Sequence, residues 1–275
     1  MTDIDITPAG WQLNDARARD YERFLVAAVL DGWAADLVDM VGVSAGERVL
    51  DVGCGTGVVA RHAAARVGPR GTVTGVDRNR SMLGVARELG GHLDPPVTWL
   101  EGDATDLPVA AVSVDVALCQ QALQFVADPA AALAELHRVV VPGGRVGVST
   151  CRPLAHQPGY TALLGAAARH LGDRAGAVLA SVYALGDLHD LGGLVAAAGF
   201  SDVHRRIELT TFRLPSAEAL LTAETSSSPL GPATELVDAA AYDALVADVE
   251  AALAPHTDDD GVVFPFETLV VTARR

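Results

Sequence analysis

Between residues 48 and 149, short apolar runs alternate with stretches of helical spacing, and few folds accommodate such a sequence. Arg48-Val49-Leu50-Asp51-Val52 reads as a buried strand, Val58 to Val67 as a helix, Thr72 to Val76 as a β-branched strand and Ser81 to Leu89 as a helix. Strands at Val97 to Leu100 and Val114 to Leu118 follow. A helix at Ala130 to Val139 then leads through the Pro142-Gly143-Gly144 turn into a strand at Arg145 to Ser149. Near-continuous apolar strands are those covered on both faces, so the pattern predicts an α/β fold built on a Rossmann-like, doubly wound parallel sheet. Ahead of it, Phe24, Leu25, Ala28, Val29, Trp33, Leu37 and Val41 recur at helical spacing within Tyr21 to Val41. Behind it lie an Ala-rich helical stretch from Pro153 to Gly186 and a helix from Leu188 to Ala198 closed by Gly199. A strand at Val203 to Leu209 and a last strand at Val262 to Ala273 complete the pattern, the latter preceded by the solvated Asp258-Asp259-Asp260 turn. Between those strands the chain is again helical, with a Ser226-Ser227-Ser228-Pro229 loop. Without repeats or linkers, residues 1–275 read as one domain. Insertions that follow strand carboxyl ends are placed to act as a lid over the ligand cleft of an open sheet.

The chain contains no lysine; its 20 basic residues are all arginine. A P-loop lysine, a Schiff-base lysine and the lysine of a kinase fold are thereby excluded. The 35 acidic residues give a net charge of −15, which repels phosphate backbones and anionic lipid, so neither nucleic acid nor membrane is expected as partner. Cys54, Cys119 and Cys151 form no Cys-x-x-Cys pair and have no histidine or carboxylate spacing beside them. They read as packing residues with no metal and no disulfide framework. An acidic amino-terminal segment without a signal region, and no apolar run of bilayer length, predict a cytoplasmic protein, monomeric or homodimeric.

The first strand runs through Asp51-Val52-Gly53-Cys54-Gly55-Thr56-Gly57 directly into a helix. A dinucleotide fingerprint requires glycine where Val58 stands, which disfavours a nicotinamide-dependent oxidoreductase. Alternating glycines still let a ligand approach the backbone and the helix amino terminus. Asp51 suits the cationic amino group of a ligand and repels a diphosphate. Asp77, 20 residues beyond Gly57, ends the second strand and suits the hydroxyls of a ribose. Asp103, in Glu101-Gly102-Asp103-Ala104, suits the exocyclic amine of adenine. Ribose, adenine and an ammonium-bearing tail without phosphate describe S-adenosyl-L-methionine.

On these residues the chain resembles the class I S-adenosylmethionine-dependent methyltransferases, in the ubiquinone/menaquinone-biosynthesis-like, small-molecule branch. The motifs are Val49-Leu50-Asp51-Val52-Gly53-Cys54-Gly55-Thr56-Gly57, Gly75-Val76-Asp77 followed by Ser81-Met82-Leu83, Gly102-Asp103-Ala104, and Val140-Val141-Pro142-Gly143-Gly144-Arg145. They cover Arg48 to Thr150. A looser similarity in Arg152-Pro153, His156, Pro158-Gly159-Tyr160 and Ala198-Gly199-Phe200 extends it over most of the chain. The resemblance implies a seven-stranded sheet with the last strand antiparallel. The pattern along the chain divides this single domain into a helical cap at 1–42, a cofactor-binding core at 48–152, and helical insertions at 153–186 and 215–255 expected to form the substrate lid. The cofactor would be held by Tyr21, Asp51, Gly53, Gly55, Gly57, Asp77, Arg78, Met82, Asp103, Ala104 and Gln120.

Methyl transfer by in-line displacement needs alignment more than acid catalysis, and only the nucleophile requires a base. The fourth strand ends in Cys119-Gln120-Gln121-Ala122-Leu123-Gln124-Phe125, which lacks the Asn/Asp-Pro-Pro-Tyr segment of amino- and amide-methylating relatives. Gln120 and Gln121 are expected to border the methyl-transfer site, and Gln124 lines either the substrate side or the surface. His156, a few residues beyond the fifth strand, is the candidate base, with an ordinary loop residue as the competing reading. Trp11 and Tyr21 are placed to cover the methionine end of the cofactor, with core packing on the first helix as the competing reading for Tyr21. Gly42-Val43-Ser44-Ala45-Gly46 matches a nucleophile elbow by composition only, since it follows a helix and opens a strand. The expected function is methyl transfer to oxygen or carbon of a small, largely apolar acceptor, in secondary metabolism. A non-methylating cyclase or isomerase on the same scaffold is the alternative.

Overall fold

The computed structural model describes residues 12–228, 231–234 and 237–275. Trp11, with the rest of the first eleven residues of the expected cap, and Pro229 of the serine loop lie outside the described residues. The chain opens with α1 (Asp15–Tyr21) and α2 (Asp31–Val41), joined without a break by π-helical Glu22–Leu30. β1 (Arg48–Val52), α3 (Val58–Val67), β2 (Thr72–Asp77), α4 (Arg80–Gly90), β3 (Val97–Glu101), β4 (Val114–Gln120), α5 (Pro129–Val139) and β5 (Val140–Cys151) then alternate, with all five strands parallel. Helices α6 (Pro158–Leu171), α7 (Asp173–Ser181) and α8 (Leu188–Ala197) follow, then β6 (Ser201–Leu214), α9 (Ala217–Ser227), α10 (Gly231–Thr234) and α11 (Ala239–Leu253). The chain ends in β7 (Thr257–Asp258) and β8 (Gly261–Arg274). No helix among the described residues is long and apolar enough to cross a membrane.

β8 lies antiparallel between β5 and β6, giving the order β3-β2-β1-β4-β5-β8-β6. The antiparallel last strand is as expected, but the sheet has eight strands rather than seven. The extra one is β7, which the acidic turn folds back onto Val262 and Gly261, the latter at φ +117°. Three further differences have local causes. β5 begins at Val140 because its pairing shifts between Val114 and Val116, which accommodates the Pro142-Gly143-Gly144 turn inside the strand. Ser226 and Ser227 extend α9 rather than looping out. The π-helical segment leaves no mark on an apolar pattern read at ordinary helical spacing.

Strand residues alternate between two cores, as their period of two requires. Val49, Val116 and Leu118 pack on the face covered by α2 and α3; Leu50, Val52, Ala117 and Cys119 pack on the face of α5 and α8. β8 pairs with β5 only over Thr268 to Arg274, and beyond β5 its residues Val262 to Glu267 continue paired with β6. This ribbon delivers the buried rings of Phe212, Phe264 and Phe266 to the inserted helices. Gly159, near the start of α6, lies against Phe264 so closely that a methyl group there would stand 2.3 Å from the ring. Gly159→Ala is expected to destabilise the fold by about 1–3 kcal/mol through overpacking. In urea unfolding, a double-mutant cycle with Phe264→Leu should return a coupling of roughly 1 kcal/mol; an unaltered midpoint for Gly159→Ala would refute this packing.

Candidate active site

A cavity of about 480 Å³ opens at the carboxyl ends of β1, β2 and β4. Gly53 and Gly55 line it, but Gly57 does not. Gly55, at φ +53°, leaves open space up to the Tyr21 ring, and its N–H donates to Asp77 Oδ2 at 2.8 Å. Gly57 serves packing instead: at φ +87°, a Cβ there would stand 2.4 Å from the Trp99 ring of β3. The alternating glycines thus split between a ligand-facing position and a strand-to-helix contact.

Asp77 is pushed up by burial, against the N–H donors of Asn79 and Gly55 and the charge of Arg78. Its Oδ1 accepts the Asn79 N–H at 2.8 Å. Asn79 in turn caps α4 through the N–H groups of Ser81 and Met82 and donates to the Leu13 carbonyl at 3.0 Å. Asp103 accepts from the Thr105 N–H at 2.9 Å and its hydroxyl at 2.8 Å, which hold its carboxyl low. Asp77, Arg78, Met82, Asp103 and Ala104 all line the cavity, so this group of expected residues is assembled in one place.

Asp51 and Gln120 instead line a smaller cavity of about 40 Å³ behind the glycine loop, together with Tyr21, Gly53, Gly55 and Thr56. Asp51 Oδ2 accepts the Ala60 N–H at 3.0 Å, supplying the amino-terminal cap that Gly57 cannot give α3. Burial pushes the Asp51 carboxyl up to about 7. Gln120 donates to the Leu30 carbonyl at 3.0 Å. Its Oε1, like the Thr56 hydroxyl, makes no hydrogen bond among the described residues. Buried polar atoms left without a partner call for one. Tyr21 lines both cavities, and its phenol is raised by burial. Arg61 ties this corner together, donating to the Thr56 carbonyl at 2.7 Å and to Glu22 at 2.6 Å.

The remainder of the large cavity is aromatic. Phe266 has ring centroids 5.0 Å from Trp33 and 5.0 Å from Tyr160, and Tyr183 adds a further wall. Gln121 and Gln124 line it as expected for the substrate side. Gln121 adopts φ +50° and is held there by its side chain, which donates to Thr268 at 2.7 Å and accepts from Gln124 at 3.1 Å. His156 is exposed and absent from the lining; Arg152 Nη2 lies 2.9 Å from its ring. The neighbouring Gln157 turns inward in its stead, bonding the Glu267 carbonyl and N–H at 2.6 and 3.1 Å, and so points His156 outward. Glu224, on α9, was not expected. It is 5% exposed, lines the cavity, and accepts the Tyr160 hydroxyl at 2.7 Å, while burial pushes its carboxyl up to about 7. The sequence does carry a signal for it: no basic residue occurs between Arg213 and His256 to pair with an acid in an apolar helix.

Residues 50–148 match the family described as "Methyltransferase domain". The chain is 32% identical to the nocamycin O-methyltransferase of Saccharothrix syringae, over 88% of this chain and 90% of that protein. It is 39% identical to the 2-phytyl-1,4-naphtoquinone methyltransferase of Synechocystis sp. over 129 residues, 46% of this chain, and spans about half (52%) of that relative's length. The phosphoethanolamine N-methyltransferase 2 of Haemonchus contortus, solved with S-adenosyl-L-methionine, superimposes with a TM-score of 0.61 at 22% identity, covering 96% of this chain and 58% of that one. The chain belongs to the class I S-adenosylmethionine-dependent methyltransferases, in their small-molecule branch.

Proposed function

We propose that the chain transfers a methyl group from S-adenosylmethionine to an oxygen or carbon atom of a small, largely apolar acceptor, with a role in secondary metabolism. The observation that carries this reading is a single cavity lined both by the strand-end carboxylates Asp77 and Asp103 and by the rings of Trp33, Tyr160, Tyr183 and Phe266. The residues fit the cofactor. Asp77 offers acceptors for ribose hydroxyls, and Asp103 with Ala104 offers an edge for adenine, flanked by Arg78 and Met82. The charge of Arg78 is answered by both carboxylates, leaving no strong site for a diphosphate. Asp51 and the unpaired Gln120 oxygen suit an ammonium group, with Gly53 and Gly55 giving backbone access and Tyr21 covering it. Gly57 supports the loop through Trp99.

Bound S-adenosylmethionine supplies a methyl group on a cationic sulfur with a neutral thioether as leaving group. The chain's own contribution is to align the acceptor and exclude water, worth up to several orders of magnitude in rate for well-oriented partners. Gln121 and Gln124 border the acceptor side. The nocamycin O-methyltransferase, matched over most of both chains, supports oxygen as the receiving atom and the secondary-metabolism assignment.

Calorimetry should detect S-adenosylmethionine binding, weakened roughly 10–100-fold by Asp77→Ala through loss of charge-assisted hydrogen bonds; equal affinity would remove Asp77 from the ribose site. Asp51 ionises only as the pH rises through about 7, so affinity should climb from pH 5.5 to 7.5 and then level off. The climb approaches roughly tenfold per unit on its acid side. Asp51→Asn should flatten that profile, and a profile of the same slope in the variant would exclude Asp51 as the ammonium partner. Incubation with extracted metabolites should yield S-adenosylhomocysteine; an acceptor isomerised while the bound cofactor stays intact would favour the cyclase reading instead.

A further inference from the structure

Among the described residues Asp51 and Glu224 are the least exposed carboxylates, more deeply buried than Asp77, and each lines a cavity. Asp51 is explained by the α3 cap and the small polar cavity. Glu224 caps nothing and faces no guanidinium partner in any described ion pair; the hydrogen bond that holds it comes from Tyr160. As a purely structural device it is a poor choice, because a desolvated carboxylate is costly and an apolar or amide side chain of similar volume packs as well.

We propose that Glu224 is the catalytic base of this site, positioned by Tyr160, and that the acceptor is a hydroxylated planar ring or enol. This rests on the methyltransferase reading above. The acceptor O–H bond breaks and its proton passes to the Glu224 carboxylate. The oxygen's electron pair forms the new bond to the methyl carbon, and the electrons of the broken C–S bond remain on sulfur as a neutral thioether. Glu224 then returns its proton to solvent when product leaves. A carboxyl raised to about 7 by burial is suited to that exchange, being partly ionised at neutral pH yet basic enough to take the proton. Tyr160 keeps the carboxylate oriented toward the ring-lined space through the 2.7 Å bond, and the stacking of Tyr160 on Phe266 fixes that hydroxyl in turn.

The test compares hydroxyls of different acidity. 2-Naphthol and 1,4-dihydroxynaphthalene are neutral at pH 7.5, whereas 2-hydroxy-1,4-naphthoquinone is already an anion and needs no base. With S-adenosylhomocysteine formation as readout, Glu224→Gln should lower kcat on the neutral probes roughly 10²–10⁴-fold, the span of general-base catalysis, with KM changed by less than about threefold. On the anionic probe kcat should fall by less than about tenfold, as no base step is lost. Tyr160→Phe should give a smaller loss with the same discrimination, which a merely structural tyrosine would not. Glu224→Gln removes a buried charge, so its thermal midpoint at pH 8 should equal or exceed that of the parent chain, and Tyr160→Phe provides an independent variant if it does not. Equal losses on both classes of probe, or none on either, would overturn the assignment. Binding of S-adenosylmethionine without methylation of any of these hydroxyls would overturn the acceptor class, whereas no binding at all would overturn the reading on which it rests.

Discussion

Asp77 is the point on which the site turns. One carboxylate oxygen accepts the Gly55 N–H and the other the Asn79 N–H, so a single side chain locks the loop after β1 to the loop after β2. Asn79 passes the constraint on, capping α4 and holding the Leu13 carbonyl at the start of the amino-terminal helices. Hydrogen bonds to a charged group contribute roughly 1.5–3 kcal/mol each, yet burial still raises the Asp77 carboxyl, so these bonds do not fully offset its desolvation. That imbalance leaves the Asp77 carboxylate with capacity for further donors from the cavity it lines.

The sequence was most legible where local and global preferences agree. β1 and α3 occupy the very residues expected, because Asp51 to Gly57 supplies an apolar run, a glycine turn and a helix start in direct succession. β6 was expected to be half its actual length: beyond Leu209 its residues Thr210 to Leu214 pair with the free half of β8, and such pairing between distant segments has no local signature. Gly57 and Gly55 look equivalent in the sequence, and only the Trp99 ring of β3 distinguishes them. His156 attracted notice by chemistry alone. Its orientation is decided by Gln157, whose bonds to Glu267 span 110 residues, so no local rule could have foreseen it. Glu224 was readable in part, since an acid without a basic residue nearby in an apolar helix is itself unusual. Its tyrosine partner, 64 residues away, was not.

The architecture separates what the two ends of the cavity depend on. The carboxylate end is built from the terminations of parallel strands, whose positions follow from burial on both faces. The aromatic end joins Phe266 of β8, Tyr160 of α6 and Tyr183 to Trp33 of α2, the helix that also covers one face of the parallel strands. Tyr160, Tyr183 and Phe266 thus belong to different elements from the strand ends that carry Asp77 and the glycine loop, so the two ends of the cavity can vary separately in sequence.

That division also bears on why a carboxylate serves better than a histidine beside a cationic donor. A neutral imidazole that takes the proton becomes a cation as the sulfonium is neutralised, so a positive charge stays in a low-dielectric cavity with no counter-charge. A carboxylate begins as the counter-charge to the sulfonium and ends neutral, as the donor ends as a neutral thioether. Both charges vanish together along the reaction, and a dry, ring-lined site favours a step that annihilates charge over one that merely moves it. The burial that raises Glu224 to about 7 and the burial that excludes water are thus one physical condition, and the aromatic wall of Trp33, Tyr160 and Phe266 creates it.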